Sequence, residues 1–508
     1  MNAPVAIVGA GPVGLSLALG LARHGVPSVV FERKAATSEY SKAPAVHTRT
    51  REVFRLWGVE RRFVEAGSLQ RRLTLHSAAT GRPVLSFDFS ELDGEADAPG
   101  ILVLEQGRTE KLLLEAVLES GLAEVRFGAE AIDLRQEASG AVLTVREADV
   151  ERRVEAAFVA GCDGAGSFVR RALGLGFDGI TYSVRPMLAD VRIADDRDRL
   201  PWPRVRNSPG GITSALRFRP GLWRIIRLER GEPSAGEEVP NEEVQHFVGE
   251  VLGPGPAGVV WASRFRIHLR SSPRFRVGRV VLAGDAAHIH SPVGGFGMNG
   301  GIQDVHNLAW KLDRALHGGD SDRLLDSYDV ERRAVVVGNV SRYTDLLTRT
   351  FLQAPSLIRE LAFVLLRGLM AIPPVRRRNL RRTTMLDLNY PASPLLDDGV
   401  RSAGARLPNA RLRAPDGAEV RLYDLLPLGP ALLEVAEDRD LPPIPAPAEP
   451  VKKIRIGRGG YSDPAGGLRR LLGSGHGWIL VRPDAHVAWT GSCPGEINEA
   501  IRRALGGR

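Results

Sequence analysis

The first forty residues constrain this chain more than any other stretch. Residues 4–9 (PVAIVG) form a short apolar run that suits a fully buried parallel strand. The run leads directly into Gly9-Ala10-Gly11-Pro12-Val13-Gly14. Leu15, Ala18, Leu19 and Ala22 then recur at helical spacing, and His24-Gly25 closes the helix. A second apolar run, residues 28–31, ends at Glu32. The order carries chemistry. Gly9 permits a tight turn, Gly11 lets the backbone approach a pyrophosphate, and Gly14 lets helix and strand pack closely. The helix N-terminus offers free N–H groups and a positive dipole end to the diphosphate. Glu32, about 20 residues on, is placed to bind ribose hydroxyls. Strand, glycines, helix, strand and acid in this order predict a dinucleotide site made by Gly9, Gly11, Pro12, Val13, Gly14 and Glu32. The motif does not choose among NAD, NADP and FAD. Arg33 joins the candidate cofactor contacts; alone it would point to NADP, but the rest of the chain argues otherwise.

Two later motifs have the same grammar. Residues 158–164 run as a strand into Asp163-Gly164, and a helix follows with Ser167 as its cap. Residues 279–283 form a strand that delivers Gly284-Asp285 to a loop dense in glycine around Pro292. A helix is predicted to open at about Gly301 and to run through Trp310-Lys311-Leu312. Such glycines let backbone N–H groups approach a flat, electron-rich ligand. Asp285, at a strand end, can accept a hydrogen bond from a sugar-like hydroxyl.

Size and composition exclude several classes. The chain has 508 residues, which predicts about three domains. Only Cys162 and Cys493 are present, so neither a disulfide framework nor a cysteine-rich zinc site fits, and a reducing cytoplasmic location is expected. His288 and His290 form a His-x-His pair, but no third ligand at suitable spacing follows, so no metal is expected. No signal peptide is evident. The apolar stretch 361–372 is too short and too charged to span a bilayer and reads as an amphipathic helix, with no membrane partner expected. The formal charge is +8. The basic run Arg376–Arg378 with Arg381 and Arg382 lacks interleaved aromatics and reads as a solvated surface or a dimer rim, not a nucleic-acid patch. A positive field favours polyanions such as FAD and NADPH.

The three motifs together resemble the para-hydroxybenzoate hydroxylase family of group A flavoprotein monooxygenases, nearest to the polyketide and phenol hydroxylase branches. The resemblance covers about the first 390 residues. It rests on the glycine fingerprint, on Asp163-Gly164, and on the Gly284-Asp285-Ala-Ala-His288 to Asn299 and Gln303-Asp304 segment. Gly300 stands where Thr or Leu is frequent, and Phe296 where several polyketide branches carry Gln. The resemblance implies bound FAD, reduction by NADPH or NADH, and reaction with O2 through a flavin C4a-hydroperoxide. The product would be a hydroxylated aromatic or polyketide-like substrate. It implies that Glu32 and the fingerprint hold the adenosine half of FAD, and that Gly284 and Asp285 hold the ribityl chain. Gly295, Gly297, Met298 and Asn299 would line the isoalloxazine, with Pro292 facing flavin and substrate. Asp163 and Gly164 would serve FAD and NAD(P)H, and Gln106 would contact flavin. Arg49 matches an arginine on a mobile flavin-side loop; a helix-capping arginine is its plainer reading. Arg49, Pro292 and Gly295 would form the reacting environment, with no side-chain nucleophile. His47, Tyr182 and His268 are candidate bases. His47, Tyr182, Trp223 and Phe296 are candidate substrate contacts, and Trp202, Phe218 and Arg266 are further pocket candidates for which core packing is an equal explanation.

The expected fold is α/β. A Rossmann-type FAD domain (residues 1–181 and 276–390) is joined by an antiparallel-sheet substrate domain (182–275), to which residues 73–104 add strands. Residues 391–508 resemble the thioredoxin-like C-terminal domain of phenol and polyketide hydroxylases. Cys493 there stands without a CxxC partner, which excludes thioredoxin-type redox work. Residues 441–450 (LPPIPAPAEP) read as an extended loop. The same fold could support Baeyer–Villiger insertion, epoxidation, or a flavin reductase or dehydrogenase. A halogenase is disfavoured, because the stretch around Trp223 lacks a WxWxIP pattern. A non-catalytic flavin scaffold is disfavoured by the intact third motif. The chain is expected to act as a monomer or homodimer.

Overall fold

The computed structural model describes residues 2–37, 43–232, 238–397, 399–400, 402–473 and 475–507. Its largest sheet has eight strands. Five of them lie parallel in the spatial order Val280–Leu282, Val150–Gly161, Asn2–Val8, Ser28–Glu32, Ala123–Phe127. The apolar runs read from the sequence fill its centre: Val5, Ala6, Ile7, Val30, Val159, Ala160, Val280 and Val281 are fully or almost fully buried. Helix Pro12–Arg23 covers one face. It is buried on nearly every side because it packs between the sheet and helix Phe296–Leu316. The predicted closure is present, with His24 as C-cap and Gly25 at φ +76°.

Register brings the motifs together. Val8 pairs with Gly161 and with Phe31, and Gly161 pairs with Leu282. The residues that follow these strands are Gly9, Cys162-Asp163, Glu32 and Ala283-Gly284. Four motif segments distant in sequence therefore leave the sheet side by side at its carboxyl end, where open α/β sheets bind ligands.

A seven-stranded sheet lies beside this unit. Strands Val184–Arg192, Arg204–Ser208, Gly211–Arg219, Leu222–Arg230 and Gly258–Arg264 come from the middle of the chain. Arg72–Ser77 and Pro83–Asp88 join its edge. The expected joining segment stops there: Ile101–Val103 pairs instead with Ala45–His47 and Ser68–Gln70 in a separate small sheet. Helix Asn241–Leu252 packs Val244, Phe247, Val248 and Val251 against Met187, Ala189, Val191, Trp223 and Ile225.

Near the C-terminus, a four-stranded sheet has the order Lys452–Gly457, Ala431–Ala436, Gly477–Val481, Val487–Gly491. The first pair is parallel and the other two are antiparallel. Residues 441–450 have no regular structure, as their prolines require.

This C-terminal sheet is fastened to the flavin-type half by buried ions. Glu331 accepts from Lys311 Nζ at 2.7 Å, from Arg482 at 2.6 and 2.9 Å, from Asn307 at 2.6 Å and from Ser393 at 2.6 Å. Arg482 also reaches Asp484 at 2.6 Å. Burial alone would raise the Glu331 carboxyl, but Arg482 and Lys311 outweigh it and hold it at about 2. Burial lowers Lys311 to about 7 against the opposing pull of Glu331. Such a cluster adds little net stability over an apolar core, yet losing one member strands the others. Glu331→Gln should therefore lower the unfolding free energy by about 3–5 kcal/mol, measured by denaturant titration. Glu331 is held below its ordinary value of 4.5, so its stabilising contribution is present above that pH. It fades as pH falls from about 4.5 toward 2, and acid titration of the variant should show a shallower loss over that window.

Candidate flavin site

Three glycines of the first motif differ in what surrounds them. A Cβ on Gly9 would sit 2.5 Å from the Cys162 carbonyl oxygen, and one on Gly14 would sit 1.9 Å from the Gly9 carbonyl oxygen. Gly9 also has φ +103°. These two glycines are required by the protein itself. A Cβ on Gly11 would have no heavy atom within 4 Å. Gly11 precedes the first turn of helix Pro12–Arg23, whose N-cap has no side-chain hydrogen bond and whose first turn has no acid. The space before this helix is thus open, positive and lined by unpaired N–H groups. That is the cradle a diphosphate needs.

The neighbouring strand ends complete the site. Glu32 Oε2 accepts from the Ala10 N–H at 2.9 Å and Oε1 from the Lys34 N–H at 3.0 Å. The acid thus also holds the fingerprint turn in shape. Arg33 is exposed beside it. Asp163 Oδ2 accepts from the Val169 N–H at 3.1 Å, while its Oδ1 is buried without a partner. Gly164 turns at φ +79°, and Ser167 caps the next helix as predicted, accepting from the Arg170 N–H at 2.9 Å. Asp285 is exposed at the end of Val280–Leu282. Gln106 opens helix Gln106–Glu119; its Oε1 accepts from the Ala43 N–H at 3.2 Å and its Nε2 donates to Glu110. An open diphosphate cradle, an unsatisfied carboxylate oxygen and an exposed aspartate on adjacent strand ends fit FAD.

The third motif is built differently from the expectation. Its helix opens at Phe296, not near Gly301, and runs 21 residues to Leu316. Gly295, at φ +71°, caps it in the left-handed conformation, and Gly294 turns at φ +89°. Pro292 and Gly294 are exposed, and Gly297 is half-buried. Gly297, Gly300 and Gly301 lie inside the helix, a placement that costs about 1 kcal/mol each relative to Ala. Contact explains Gly301. A Cβ there would lie 2.5 Å from Val13 Cγ2 and 3.0 Å from Gly284 Cα. Val13, Gly284 and Gly301 interlock, so the first and third motifs are one packed unit. At Gly300 the nearest atom would be 3.8 Å away, an ordinary contact.

Asn299 acts as a staple. Its Oδ1 accepts from the His47 N–H at 2.9 Å, and its Nδ2 donates to the Ala45 carbonyl at 2.9 Å and the Gly295 carbonyl at 2.8 Å. Met298 is buried beside it. Five residues on, Asp304 Oδ2 accepts from the Gly284 N–H at 3.0 Å and bonds His288 Nε2 at 2.7 Å, while Oδ1 takes Arg332 Nε at 2.7 Å. Burial would raise this carboxyl, but His288 and Arg332 hold it at about 2. Asp304, Asn307 and Lys311 carried no expectation of their own. Their spacing of three and four residues was the available signal, since it puts all three on one helix face.

Several expected contacts are corrected. Arg49 lies in helix Thr48–Leu56, not on a mobile loop, and is 2% exposed. Its guanidinium donates to Glu52, to the Tyr423 hydroxyl at 3.1 Å and to the Asp484 carbonyl at 2.9 Å. It serves the C-terminal junction. Trp223 is fully buried against helix Asn241–Leu252 and donates Nε1 to Asp198, so it lines the core of the sheet and not a pocket. Trp202 packs at the same core, Phe218 is buried under Arg224, and Arg266 is exposed. Phe296 is 3% exposed and packs with Val335, Val340, Met385 and Leu388, which removes it from a substrate surface.

The candidate bases also change character. His47 stacks on Phe296 at 5.3 Å, and its Nδ1 meets the Thr383 carbonyl at 2.6 Å, so Nδ1 carries the hydrogen. Nε2 is buried beside Gly295 without a partner. Burial lowers the ring to about 4, so it is neutral near pH 7 and a weak base. The Tyr182 hydroxyl donates to Asp345 at 2.7 Å, and burial together with that bond keeps it protonated. His268 bonds Thr181 at 2.8 Å, and burial with Arg270 and Arg266 lowers it. Burial also lowers His290, to about 4, beside His288.

The interlock is testable. Gly301→Ala should displace Val13 or Gly284, weakening FAD retention at least tenfold in equilibrium dialysis and lowering the melting temperature. Gly300→Ala should leave both within error, because that site has room. Asp304→Asn should lose FAD more readily than wild type and unfold at about 3 kcal/mol less, as expected when one member of a buried charged cluster is removed.

Comparison with known proteins agrees with this geometry. Residues 2–343 match the family described as FAD binding domain, and residues 401–507 the family described as aromatic-ring hydroxylase, C-terminal. The chain is 34% identical to the 12-dehydrotetracycline 5-monooxygenase/anhydrotetracycline 6-monooxygenase of Streptomyces rimosus, over 96% of this chain and 95% of the relative. It superposes on the anhydrotetracycline hydroxylase OxyS from Streptomyces rimosus with TM-score 0.81 and 31% identity, over 100% and 99% of the two chains. It superposes equally, at TM-score 0.81 and 25% identity over 99% of both chains, on aklavinone-11 hydroxylase solved with FAD and aklavinone. The chain belongs to the FAD-binding aromatic-ring hydroxylase family and is an FAD-dependent monooxygenase.

Proposed function

We propose that this monooxygenase hydroxylates a polycyclic aromatic, polyketide-like substrate with NADPH or NADH as reductant and O2 as oxidant. The observation that carries this is the wall beside the glycine loop. Val293 of that loop packs with Tyr182, Val184, Leu228, Ile267 and Phe351 in one apolar cluster. A loop built to approach a flat cofactor thus abuts an apolar surface drawn from strands Val184–Arg192 and Leu222–Arg230 of the seven-stranded sheet and from the helical segment Arg349–Gln353. An aromatic substrate belongs between such layers. Relatives that act on anhydrotetracycline and aklavinone support the class.

Within this reading, the fingerprint glycines, Pro12, Val13 and Glu32 hold the adenosine diphosphate half, and Asp285 holds the ribityl chain. Bound FAD supplies the redox and oxygen chemistry. The protein's own residues do the rest. The first N–H groups of helix Phe296–Leu316 lack intrahelical partners and favour negative charge at the ring edge. Pro292 and Gly295 shape the reacting side. The apolar cluster around Val293 excludes water. No proton is assigned to His47 or Tyr182, because the first is neutral and the second is held protonated by Asp345. The order of the C-terminal strands, one parallel pair followed by two antiparallel ones, supports reading residues 391–508 as a thioredoxin-like unit. The two sheets support the division into residues 1–181 with 276–390, and 182–275.

The deciding experiment follows NADPH and NADH oxidation by FAD-loaded enzyme in air, with a panel of phenols and polycyclic quinones and with peroxide recorded. The expected result is at least tenfold stimulation by a polycyclic phenol, little peroxide, and a product heavier by one oxygen on an aromatic carbon. An oxygen inserted beside a ketone, or complete diversion of electrons to peroxide with every aromatic tried, would overturn hydroxylation.

A further inference from the structure

We propose that helix Ser356–Met370 docks this enzyme on anionic lipid surfaces. The inference is independent of the oxygenation chemistry. The helix is apolar on both sides. Its inner side is Arg359, Phe363 and Met370; Arg359 is fully buried and donates to Asn207 at 2.8 Å and to the Ala354 carbonyl at 3.1 Å, and Phe363 meets Phe351 at 4.9 Å. Its outer side is also apolar. Leu357, Ile358, Leu361, Val364 and Leu365 are 66%, 51%, 61%, 71% and 64% exposed, and Leu369, Ile372 and Val375 continue the stripe. A helix that is apolar all round is normally buried all round. Contiguous exposure on this scale marks an interaction surface.

The surrounding charge selects the occupant. Arg367 and Arg378 are exposed around the stripe, with Arg206 on the strand beneath, while Arg377 is exposed but paired with Glu95. Glu360 is the one exposed acid within the helix. The rim is therefore positive, as is the chain at +8. A second copy would bring arginine against arginine across the same patch. An anionic headgroup layer complements it, with the leucines reaching the acyl boundary and the arginines staying among phosphates. Among the described residues, no helix is long and apolar enough to cross a membrane. Lying in the interface plane needs no such length. The proposal departs from the sequence reading of residues 361–372 as an amphipathic helix without a membrane partner, because the exposed side is apolar.

The test is sedimentation of the full-length, FAD-loaded enzyme with sucrose-loaded vesicles. One set is phosphatidylcholine with about one-third phosphatidylglycerol, and the other is phosphatidylcholine alone. The expected result is binding to the anionic vesicles that is at least tenfold tighter than to the neutral ones and is weakened by salt. Leu361→Glu/Val364→Glu should abolish binding. Arg367→Gln/Arg378→Gln, at exposed positions that cannot unfold the protein, should weaken anionic binding about five-fold or more for each arginine removed, with flavin absorbance unchanged. Absence of binding to either vesicle overturns the proposal. So does a dimer by light scattering that Leu361→Glu/Val364→Glu converts to monomer without any vesicle binding, which would make the stripe a contact between copies.

Discussion

The carboxylate of Asp304 is the point on which the site depends. It is fully buried and takes the Gly284 N–H, His288 and Arg332. Gly284 follows the sheet strand Val280–Leu282, His288 begins the glycine loop, and Arg332 lies on helix Ser321–Val335. One side chain therefore ties the sheet, the loop and two helices. An isolated buried carboxylate would be intolerable in a low-dielectric core. Here Arg332 and the hydrogen bonds from His288 and Gly284 more than repay its desolvation, and the loop cannot move without breaking a buried hydrogen bond. The glycine loop lies next to residues that need freedom to turn and N–H groups that must stay in place. A charged anchor at its root meets both demands.

The same helix repeats the device one and two turns later. Asn307 and Lys311 follow Asp304 at three and seven residues, and both reach Glu331. Arg482 and Asp484 extend the cluster into the C-terminal sheet. Helix Phe296–Leu316 thus carries flavin-loop geometry at its start and the C-terminal junction at its end. Arg49 closes the arrangement from the other side, since its helix follows the strand that Asn299 staples and its guanidinium reaches Tyr423 and Asp484. The C-terminal unit is coupled to the glycine loop through some four turns of one rigid helix.

This division explains what was legible in the sequence. The parallel strands, the glycine turns, the Ser167 cap and the Pro12–Arg23 helix could be read because each is governed by local rules: apolar runs, positive φ, capping and helical period. The start of helix Phe296–Leu316 could not. Four glycines and a proline within nine residues look like a loop, and only the left-handed Gly295 cap and the tight fit at Gly301 show where the loop ends. Phe296 is buried because it opens that helix and packs on Val335, Val340, Met385 and Leu388. Trp223 differs from expectation for another reason. Alternation tells that a strand has two faces but not which face meets the helix and which meets the cofactor layer. Arg49 is not legible because, Glu52 apart, its partners lie more than 370 residues away in sequence, and no local pattern announces a buried arginine.

The polar residues on the inner face of helix Phe296–Leu316 and the apolar residues on the outer face of helix Ser356–Met370 invert the usual rule, and for opposite reasons. In the first helix, Asp304, Lys311 and the Asn307 Nδ2 meet charges from other segments, which fixes their orientation. In the second, Arg359 anchors the inner side through Asn207 and the Ala354 and Ser208 carbonyls, beside Phe363 and Met370, and Leu361 and Val364 stay exposed among the described residues. A buried polar group needs its partners within the fold. An exposed apolar face is left for something outside it, and the positive rim around this one narrows what that can be.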